Sequence, residues 1–186
     1  MPPIPSVNRK EILNAAVSLV RSAGIDAVNA RSLADVLGCS TKPLFRVYAN
    51  MDALKQDVLK QLDAYYNSFM SQRICPKNRL LTQSIAYVEF ARQEPNIFNT
   101  LFMNRTCQGK STVEILDADW NQESIRNAQE VTGLSLEQTR CLFRDVWLYS
   151  HGIATQIVSN AINLPQKEVV RLMQNAFDRF SAPQKK

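Results

Sequence analysis

The stretch ARSLADVLGCSTKPLFRVY, residues 30–48, holds two short amphipathic segments on either side of a glycine. The first has apolar residues at helical spacing and ends at Gly38, which can adopt the positive φ of a sharp turn. The second carries Pro43 in what would be its first helical turn. Losing a backbone N–H there costs little, because the first N–H groups of a helix have no partner inside it. The stretch therefore predicts two short helices joined by a tight turn.

The same segments have the pattern of a helix-turn-helix, in which the first helix supports the second and presents it outward. Ala34 is small enough for the helices to cross closely, and the apolar residues that fill the space between them are Leu33, Leu37, Leu44 and Val47. Lys and Arg can donate to guanine in the major groove, and Thr, Pro and Phe can contact methyl or sugar groups. The pattern predicts DNA contacts by Arg31, Ser40, Thr41, Lys42, Pro43, Phe45, Arg46 and Tyr48. The alternative is a pair of ordinary core helices with a glycine between them.

Charge supports the DNA interpretation. The chain has 22 basic and 17 acidic residues, a formal net charge of +5. Residues 1–48 contain six Lys or Arg residues and three acids, so a net +3 lies in the first quarter. Such an excess favours nucleic acid as a partner only if the charges converge on one surface.

Apolar residues at steps of three and four continue along the chain and predict an all-α protein of about nine helices. After the proline-containing arm, the expected spans are 9–23, 30–37, 41–48, 51–73, 78–93, 96–102, 112–131, one opening at Ser135 and one from about 163 to 180. Asn29, Ser40 and Asn50 are expected caps, and Ser135 opens a capping box. The predicted domains are 1–48 for DNA binding, with 1–8 as a flexible arm, and 49–186 as a helical ligand-binding and dimerisation domain.

The run RKEILNAAVSLVRSAGIDAVNARSLADVLGCSTKPLFRVYANMDALKQDVL, residues 9–59, resembles the TetR family of bacterial transcriptional regulators. The family's first-helix pattern Ile-Leu-x-x-Ala-x-x-Leu is present, and its Leu-Tyr-x-Tyr-Phe-like signature reads Leu44-Phe45-Arg46-Val47-Tyr48 here. Val47 departs from the usual aromatic residue, and Met51 stands where a Lys often contacts phosphate. The later runs YVEFARQEPNIFNTLF and WLYSHGIA are similar to a subfamily with Trp-x-x-x-His-Gly in its eighth helix.

The resemblance implies a repressor that binds a palindromic operator in double-stranded DNA as a homodimer. Three N-terminal helices would bind DNA, the fourth would link them to a ligand-binding core, and the last two would pair with a second copy. The two-fold axis would place the two readers about 34–36 Å apart. We further expect an unidentified small molecule to release the protein from its site.

The last two predicted helices are more apolar than a monomer surface allows. Pairing with a second copy explains the excess; the alternative is that the eighth helix is the central core helix. The expected dimer interface is Ile153, Ile157, Val158, Ala161, Val169, Met173, Ala176, Phe177 and Phe180.

Aromatic and sulfur-containing residues in the C-terminal part are candidates for an apolar pocket with a few polar anchors. They are Tyr87, Phe90, Phe98, Phe102, Met103, Trp120, Arg144, Trp147 and His151. The alternative is that such residues at helical spacing belong to the core.

Other function classes lack a signal in the sequence. His151 has no nucleophile motif, phosphate loop or metal-ligand cluster beside it in sequence, so we expect no enzymatic activity, no cofactor and no metal. No apolar run has membrane-spanning length and no signal peptide is evident, which predicts a cytoplasmic protein without a membrane partner. We expect the four widely spaced cysteines, Cys39, Cys75, Cys107 and Cys141, to be reduced and buried. The rival function is a ligand-independent or architectural DNA-binding protein with the same fold.

Overall fold

The computed structural model describes residues 7–103 and 111–182, and its α-helices confirm the predicted all-α class. Two short 3₁₀ turns, Ile25–Ala27 and Pro76–Asn78, and a π-helical turn, Asn99–Met103, lie between them. No helix among the described residues is long and apolar enough to cross a membrane. The α-helices are α1 Arg9–Ala23, α2 Ala30–Leu37, α3 Lys42–Val47, α4 Met51–Ser71, α5 Arg79–Gln93, α6 Pro95–Phe98, α7 Thr112–Asp117, α8 Asp119–Thr132, α9 Leu136–Val158 and α10 Gln166–Ser181.

Most helix ends follow from local sequence. The Asn29 side chain accepts hydrogen bonds from the N–H groups of Arg31 and Ser32 at 3.1 and 3.0 Å, which caps α2 as predicted. Asn50 accepts from the N–H of Ala53 at 2.8 Å at the start of α4. The predicted capping box of α9 is also present, between Ser135 and Gln138. These caps satisfy N–H groups that would otherwise have no partner.

The predicted cap of α3 is wrong. The helix begins at Lys42, the residue before it is Thr41 rather than Ser40, and no side chain caps it. Pro43 in the first turn removes one of the N–H groups that a cap would serve. Helix α3 is therefore stabilised by the burial of its apolar side chains rather than by a cap.

The helix predicted over 112–131 is divided into α7 and α8 by Ala118, which has extended backbone angles. The side-chain amides of Asn121 and Gln122 donate to the carbonyls of Ile115 and Leu116, both at 2.8 Å. These bonds satisfy carbonyl groups at the end of α7, so a helix break costs little there.

The chain divides into two compact units. The first contains α1 to α3, α4 as far as Asn67, and the segment from Glu94 through the π-helical turn. The predicted domain boundary at residue 48 is not where this unit ends, because apolar residues of α4 contribute to its core. That core includes Ile12, Val20, Leu33, Leu44, Leu54, Val58, Leu62, Ile97 and Phe98.

The second unit contains α4 from Ser68, α5 and α7 to α10. Helix α9 packs against α5, α7, α8 and α10 within it, so much of its apolar surface is covered by the same chain. The apolar stripe of α10 packs on α9 and α5 of the same chain. Five residues predicted for the dimer interface are consequently buried in the monomer: Ile153, Val169, Met173, Ala176 and Phe177.

The expectation of buried cysteines is also corrected. Cys75 and Cys141 are exposed, Cys39 is half-buried, and all three are free thiols. Cys107 lies outside the described residues. Cys75 precedes the 3₁₀ turn Pro76–Asn78 and Cys141 lies on an exposed side of α9, so core packing encloses neither thiol.

Candidate nucleic-acid interface

The turn between α2 and α3 is closed by backbone hydrogen bonds at Gly38. Gly38 has a φ of 62°, in the left-handed region that favours glycine. The N–H of Cys39 donates to the carbonyl of Ala34 at 2.9 Å, and the N–H of Gly38 donates to Asp35 at 3.2 Å. This pair of bonds is a Schellman motif, which ends α2 and sets the direction in which the chain enters α3.

Buried residues on the inner side fix α3 to the rest of the first unit. Leu33 and Ala34 of α2 and Pro43 and Leu44 of α3 are buried, as is Tyr48 directly after α3. The prediction that Pro43 and Tyr48 contact DNA is therefore corrected: both are core residues. Pro43 lies in the first turn of α3 and Tyr48 directly after its last turn, and because both side chains are buried, neither is accessible to DNA.

The outer side presents the other predicted contact residues together on one short segment. Lys42 and Arg46 of α3 are exposed, and Phe45 is 49% exposed although it is aromatic. Ser40 is exposed in the turn, Thr41 is half-buried, and Arg31 is exposed in the first turn of α2. Six of the eight predicted residues are thus accessible from one helix pair.

The charges of this surface lack protein partners. Within the described part of the chain, Arg31, Lys42 and Arg46 make no ion pair, whereas Arg9 and Arg21 of α1 do. Helix α2 has no acid in its first turn but has Arg31 there. A cation at a helix N-terminus is unfavourable, and an anion there is favourable. A phosphate group at this end of α2 would therefore be stabilised both by the helix and by Arg31.

A polar cluster joins α3 to α1 and α4. The hydroxyl of Tyr48 donates to Oδ2 of Asp57 at 3.1 Å, and Nε of Arg9 donates to the same oxygen at 3.0 Å. A second guanidinium nitrogen of Arg9 also bonds this carboxylate, and the guanidinium lies 5.2 Å from the centroid of the Tyr48 ring. The bond from Arg9 holds the pKa of Asp57 below its ordinary value, and burial raises the pKa of Tyr48. Asp57 is therefore an ionised acceptor and Tyr48 a protonated donor at neutral pH.

A second cluster with the same chemistry lies at the other end of α1. Nε of Arg21 donates to Oε2 of Glu94 at 2.9 Å, and the hydroxyl of Tyr65 donates to Oε1 at 2.9 Å. The Arg21 guanidinium lies 5.2 Å from the centroid of the Tyr65 ring. The side chain of Asn96 also donates to the carbonyl of Arg21 at 2.9 Å. The two ends of α1 are thus fastened by equivalent clusters, only one of which includes a residue next to α3.

Sequence reasoning missed both clusters. Arg9 and Asp57 are 48 residues apart, and Arg21 and Glu94 are 73 apart. No local spacing links residues so distant. The sequence offers one indication of the first cluster: Arg9, Tyr48 and Asp57 all lie within the stretch 9–59 quoted above.

The residues predicted to bind a small molecule are divided between the two units. Phe98, Phe102 and Met103 belong to the first unit, and the other six belong to the second. Phe90 and Phe98 are fully buried and pack against the rings of Phe69 and Phe102 at 5.1 and 5.2 Å, as core residues do. Met103 and Trp120 are 48% and 70% exposed, so neither is enclosed by a pocket wall.

Three of these residues meet in the second unit. The hydroxyl of Tyr87 and Nδ1 of His151 are 2.9 Å apart and hydrogen-bonded, and the rings of Trp147 and His151 stack with centroids 6.4 Å apart. Burial lowers the pKa of His151, which favours the neutral imidazole. Arg144, a predicted anchor, pairs instead with Asp145 at 2.8 Å. No group of three potential metal ligands occurs among the residues that the structure describes.

Comparison with known proteins adds no assignment: no protein-family model matches the chain, and no curated protein is similar to it.

Proposed function

We propose that this protein is a DNA-binding transcriptional regulator of the TetR type, a cytoplasmic repressor that acts on a near-palindromic operator. One observation carries the proposal: Lys42, Arg46 and Arg31 are exposed on one helix pair without ion-pair partners in the described chain. Helix α3, which carries Lys42 and Arg46, is held on its inner side by the buried side chains of Leu44 and Tyr48. An outward basic helix on a buried support is what entry into a major groove requires.

Selecting bound sites from a random pool of double-stranded DNA tests this proposal. We expect one enriched near-palindrome with half-sites about one helical turn apart. The affinity for that site should exceed the affinity for random DNA by about 10³-fold or more at physiological salt. Binding of all sequences alike would favour the architectural alternative, and no binding would contradict both.

We propose further that the protein acts as a homodimer through a face of α9 that the monomer leaves open. Cys141, Leu148 and Gly152 are exposed and recur at seven- and four-residue steps, which places them on one side of the helix, and the exposed Ser159 follows as its C-cap. The charged residues beside them, Arg144 and Asp145, pair with each other. Between Cys141 and Val158 the described chain thus leaves no carboxylate, lysine or arginine of α9 without an ion-pair partner, which is unusual for a solvent-facing surface.

Gly152 supports this interface. Apart from its chain neighbours and the backbone of its own helix, no described atom lies within 4 Å of the position that a Cβ on Gly152 would occupy, so no other described helix crosses closely there. Glycine in the middle of a helix destabilises it by roughly 0.5–1 kcal/mol relative to alanine. Close approach of a helix from a second copy would explain why a glycine is present there, because only a residue without a side chain leaves room for it. Val170 and Phe180 of α10, each 40% exposed, supply apolar area on the neighbouring helix.

The proposed effector is a small apolar or weakly polar molecule that binds in the second unit near Tyr87, Trp147 and His151. The aromatic rings supply apolar contact, and the neutral imidazole and the phenol supply hydrogen-bonding groups. Such a molecule can shift the protein between states only through different affinities for them. Compounds that raise the melting temperature should therefore also release operator DNA in a gel-shift assay. Compounds that stabilise the protein without altering DNA binding would count against this effector site.

A further inference from the structure

We propose that Tyr48 is a positioning residue for DNA recognition, acting through Asp57 rather than by contacting DNA. This inference rests on the proposed DNA-binding function. The hydroxyl of Tyr48 fixes the C-terminal end of α3 to α4 and α1, and so sets the angle at which Lys42 and Arg46 meet the bases.

The geometry brings three helices to one oxygen atom. Tyr48 directly follows α3, Asp57 lies in the second turn of α4, and Arg9 is the first residue of α1. Oδ2 of Asp57 accepts from the Tyr48 hydroxyl at 3.1 Å and from Nε of Arg9 at 3.0 Å. The bond from Arg9 orients the Asp57 carboxylate independently of Tyr48. The Tyr48 hydroxyl therefore bonds to an acceptor whose position is already restrained.

Helix α3 needs such a fixture because it is short. It has six residues, and helices of this length have no stability of their own in water. Its first turn is held by the buried side chains of Pro43 and Leu44. Its last turn is held through Tyr48, whose N–H donates to Leu44 at 2.9 Å and whose hydroxyl reaches Asp57.

A direct phosphate contact by Tyr48 fits this arrangement poorly. The residue is 5% exposed, and its single hydroxyl hydrogen is donated to a carboxylate. A phosphate at the same hydroxyl would have to displace Asp57 and would lie beside its negative charge. The Tyr48 hydroxyl therefore cannot bond to a phosphate and to Asp57 at once, and in the structure it bonds to Asp57.

The cluster at the other end of α1 supplies a matched control. Tyr65 makes the same hydroxyl-to-carboxylate bond, and an arginine of α1 lies over its ring at the same distance. It lies about 18 Å along α1 from the first cluster, since twelve residues rise about 1.5 Å each. Removing its hydroxyl changes the same chemistry without touching α3.

The test compares Tyr48→Phe and Tyr65→Phe with the unaltered protein on the selected site and on random DNA, at several salt concentrations. Both changes keep the net charge and the ring, and circular dichroism checks the fold. We expect Tyr48→Phe to weaken specific binding about tenfold, the size of one hydrogen bond to a charged group. The affinity for random DNA should change less than twofold, because no phosphate contact is lost. The slope of log Kd against log salt should stay unchanged, because tyrosine carries no charge that neutralises a phosphate. Tyr65→Phe should change Kd less than twofold.

Two results would overturn the proposal while leaving DNA binding intact. An equal loss on the selected site and on random DNA would show that Tyr48 holds a phosphate itself, because phosphate contacts do not depend on sequence. An unchanged Kd would show that its hydroxyl is irrelevant to recognition. Failure of the unaltered protein to select any site would instead refute the underlying function, so the two failures are distinguishable.

The specific DNA affinity of Asp57→Ala is an independent measurement, which remains possible even if Tyr48→Phe does not fold. Removing a negative charge near DNA should strengthen binding by electrostatics alone. We expect weaker specific binding, because the anchor of Tyr48 is lost. In this background Tyr48→Phe should cost less than twofold more. A tenfold cost in both backgrounds would overturn the proposal, as would tighter specific binding by Asp57→Ala alone.

Discussion

Arginines of the first unit differ in what surrounds them, and this difference separates structural from functional charges. Arg9 and Arg21 each bond a carboxylate and lie over a tyrosine ring. Arg31 and Arg46 have no such partner among the described residues and are exposed. The first pair fastens α1, and the second pair is exposed and, under the proposed function, would contact DNA.

Replacing Arg46 and Arg31 should have different effects. If Arg46 reads a base, Arg46→Ala should cost about 1–3 kcal/mol on the selected site and relax the preference at one position. Arg31→Ala should weaken specific and random DNA alike and reduce the salt slope by about 0.9, because a phosphate contact is lost. Binding titrations on a set of single-base variants would measure both. Arg126→Ala, an exposed arginine of α8 in the second unit, controls for net charge. Equal, sequence-independent losses for Arg46 and Arg31 would contradict the role of Arg46.

The half-buried position of His151 predicts a loss of stability in mild acid. Burial lowers its pKa in the folded chain, whereas the unfolded chain takes up a proton near the ordinary value of about 6.5. Below that value the unfolded state binds more protons, so stability falls as the pH drops toward the folded pKa. Urea unfolding between pH 5 and 8 would measure this dependence. His151→Gln, which cannot titrate, should flatten the curve in this range; an identical pH dependence in the variant would assign the effect to another group.

At the scale of single elements, two glycines in opposite conformations give opposite predictions for the same substitution. Gly38 has a φ of 62°, where a side chain is strained, so Gly38→Ala should destabilise the fold by about 1–2 kcal/mol. Gly152 is helical with open space beside it, so Gly152→Ala should stabilise the monomer by about 0.5–1 kcal/mol. Urea denaturation under dissociating conditions would measure both. If a second copy packs closely there, Gly152→Ala should also weaken dimerisation; destabilisation of the isolated chain by this change would show that the space is occupied.

The ends of elements were predictable where a local signal sets them. Asn29, Gly38 and Ser135 set helix ends through their own side chains or φ, and the sequence alone was sufficient for these. Ala118 carries no such signal, because the break there depends on Asn121 and Gln122 turning back onto α7. The exposed residues of α3 were predictable from a different local signal: helical periodicity fixes which side of a short helix is apolar.

At the scale of the whole molecule, the sequence did not tell which partner covers an apolar stripe. Met173 and Phe177 form such a stripe on α10, and burial by a second copy or by α9 and α5 would produce the same pattern. The structure shows that the chain covers it itself. Tyr48 is a second case in which the sequence does not identify the partner. A tyrosine at a helix end can bond either to DNA or within the protein, and here its hydroxyl bonds to Asp57, nine residues further along the chain.

The proposed dimer predicts a difference between two exposed leucines of α9. Leu148→Glu should dissociate the dimer, because it places a charge on the outward face beside Gly152. Leu136→Glu, at the first residue of the same helix and 55% exposed, should leave the dimer intact. Sedimentation equilibrium would measure the association. An unaltered dimer in Leu148→Glu would place the interface elsewhere, and a monomeric unaltered protein would refute the dimer.

The division of α3 into an anchored and an open side has an evolutionary consequence. Pro43 and Leu44 are buried and hold the helix in place, while Lys42 and Arg46 are exposed and Phe45 is half exposed. Substitutions at the three open positions should disturb the fold less than substitutions at the buried ones. If the protein binds DNA as we propose, descendants of this gene could acquire new target sequences while inheriting the scaffold. A library randomised at those positions alone should consequently remain folded, and should contain proteins that have switched from one set of genes to another.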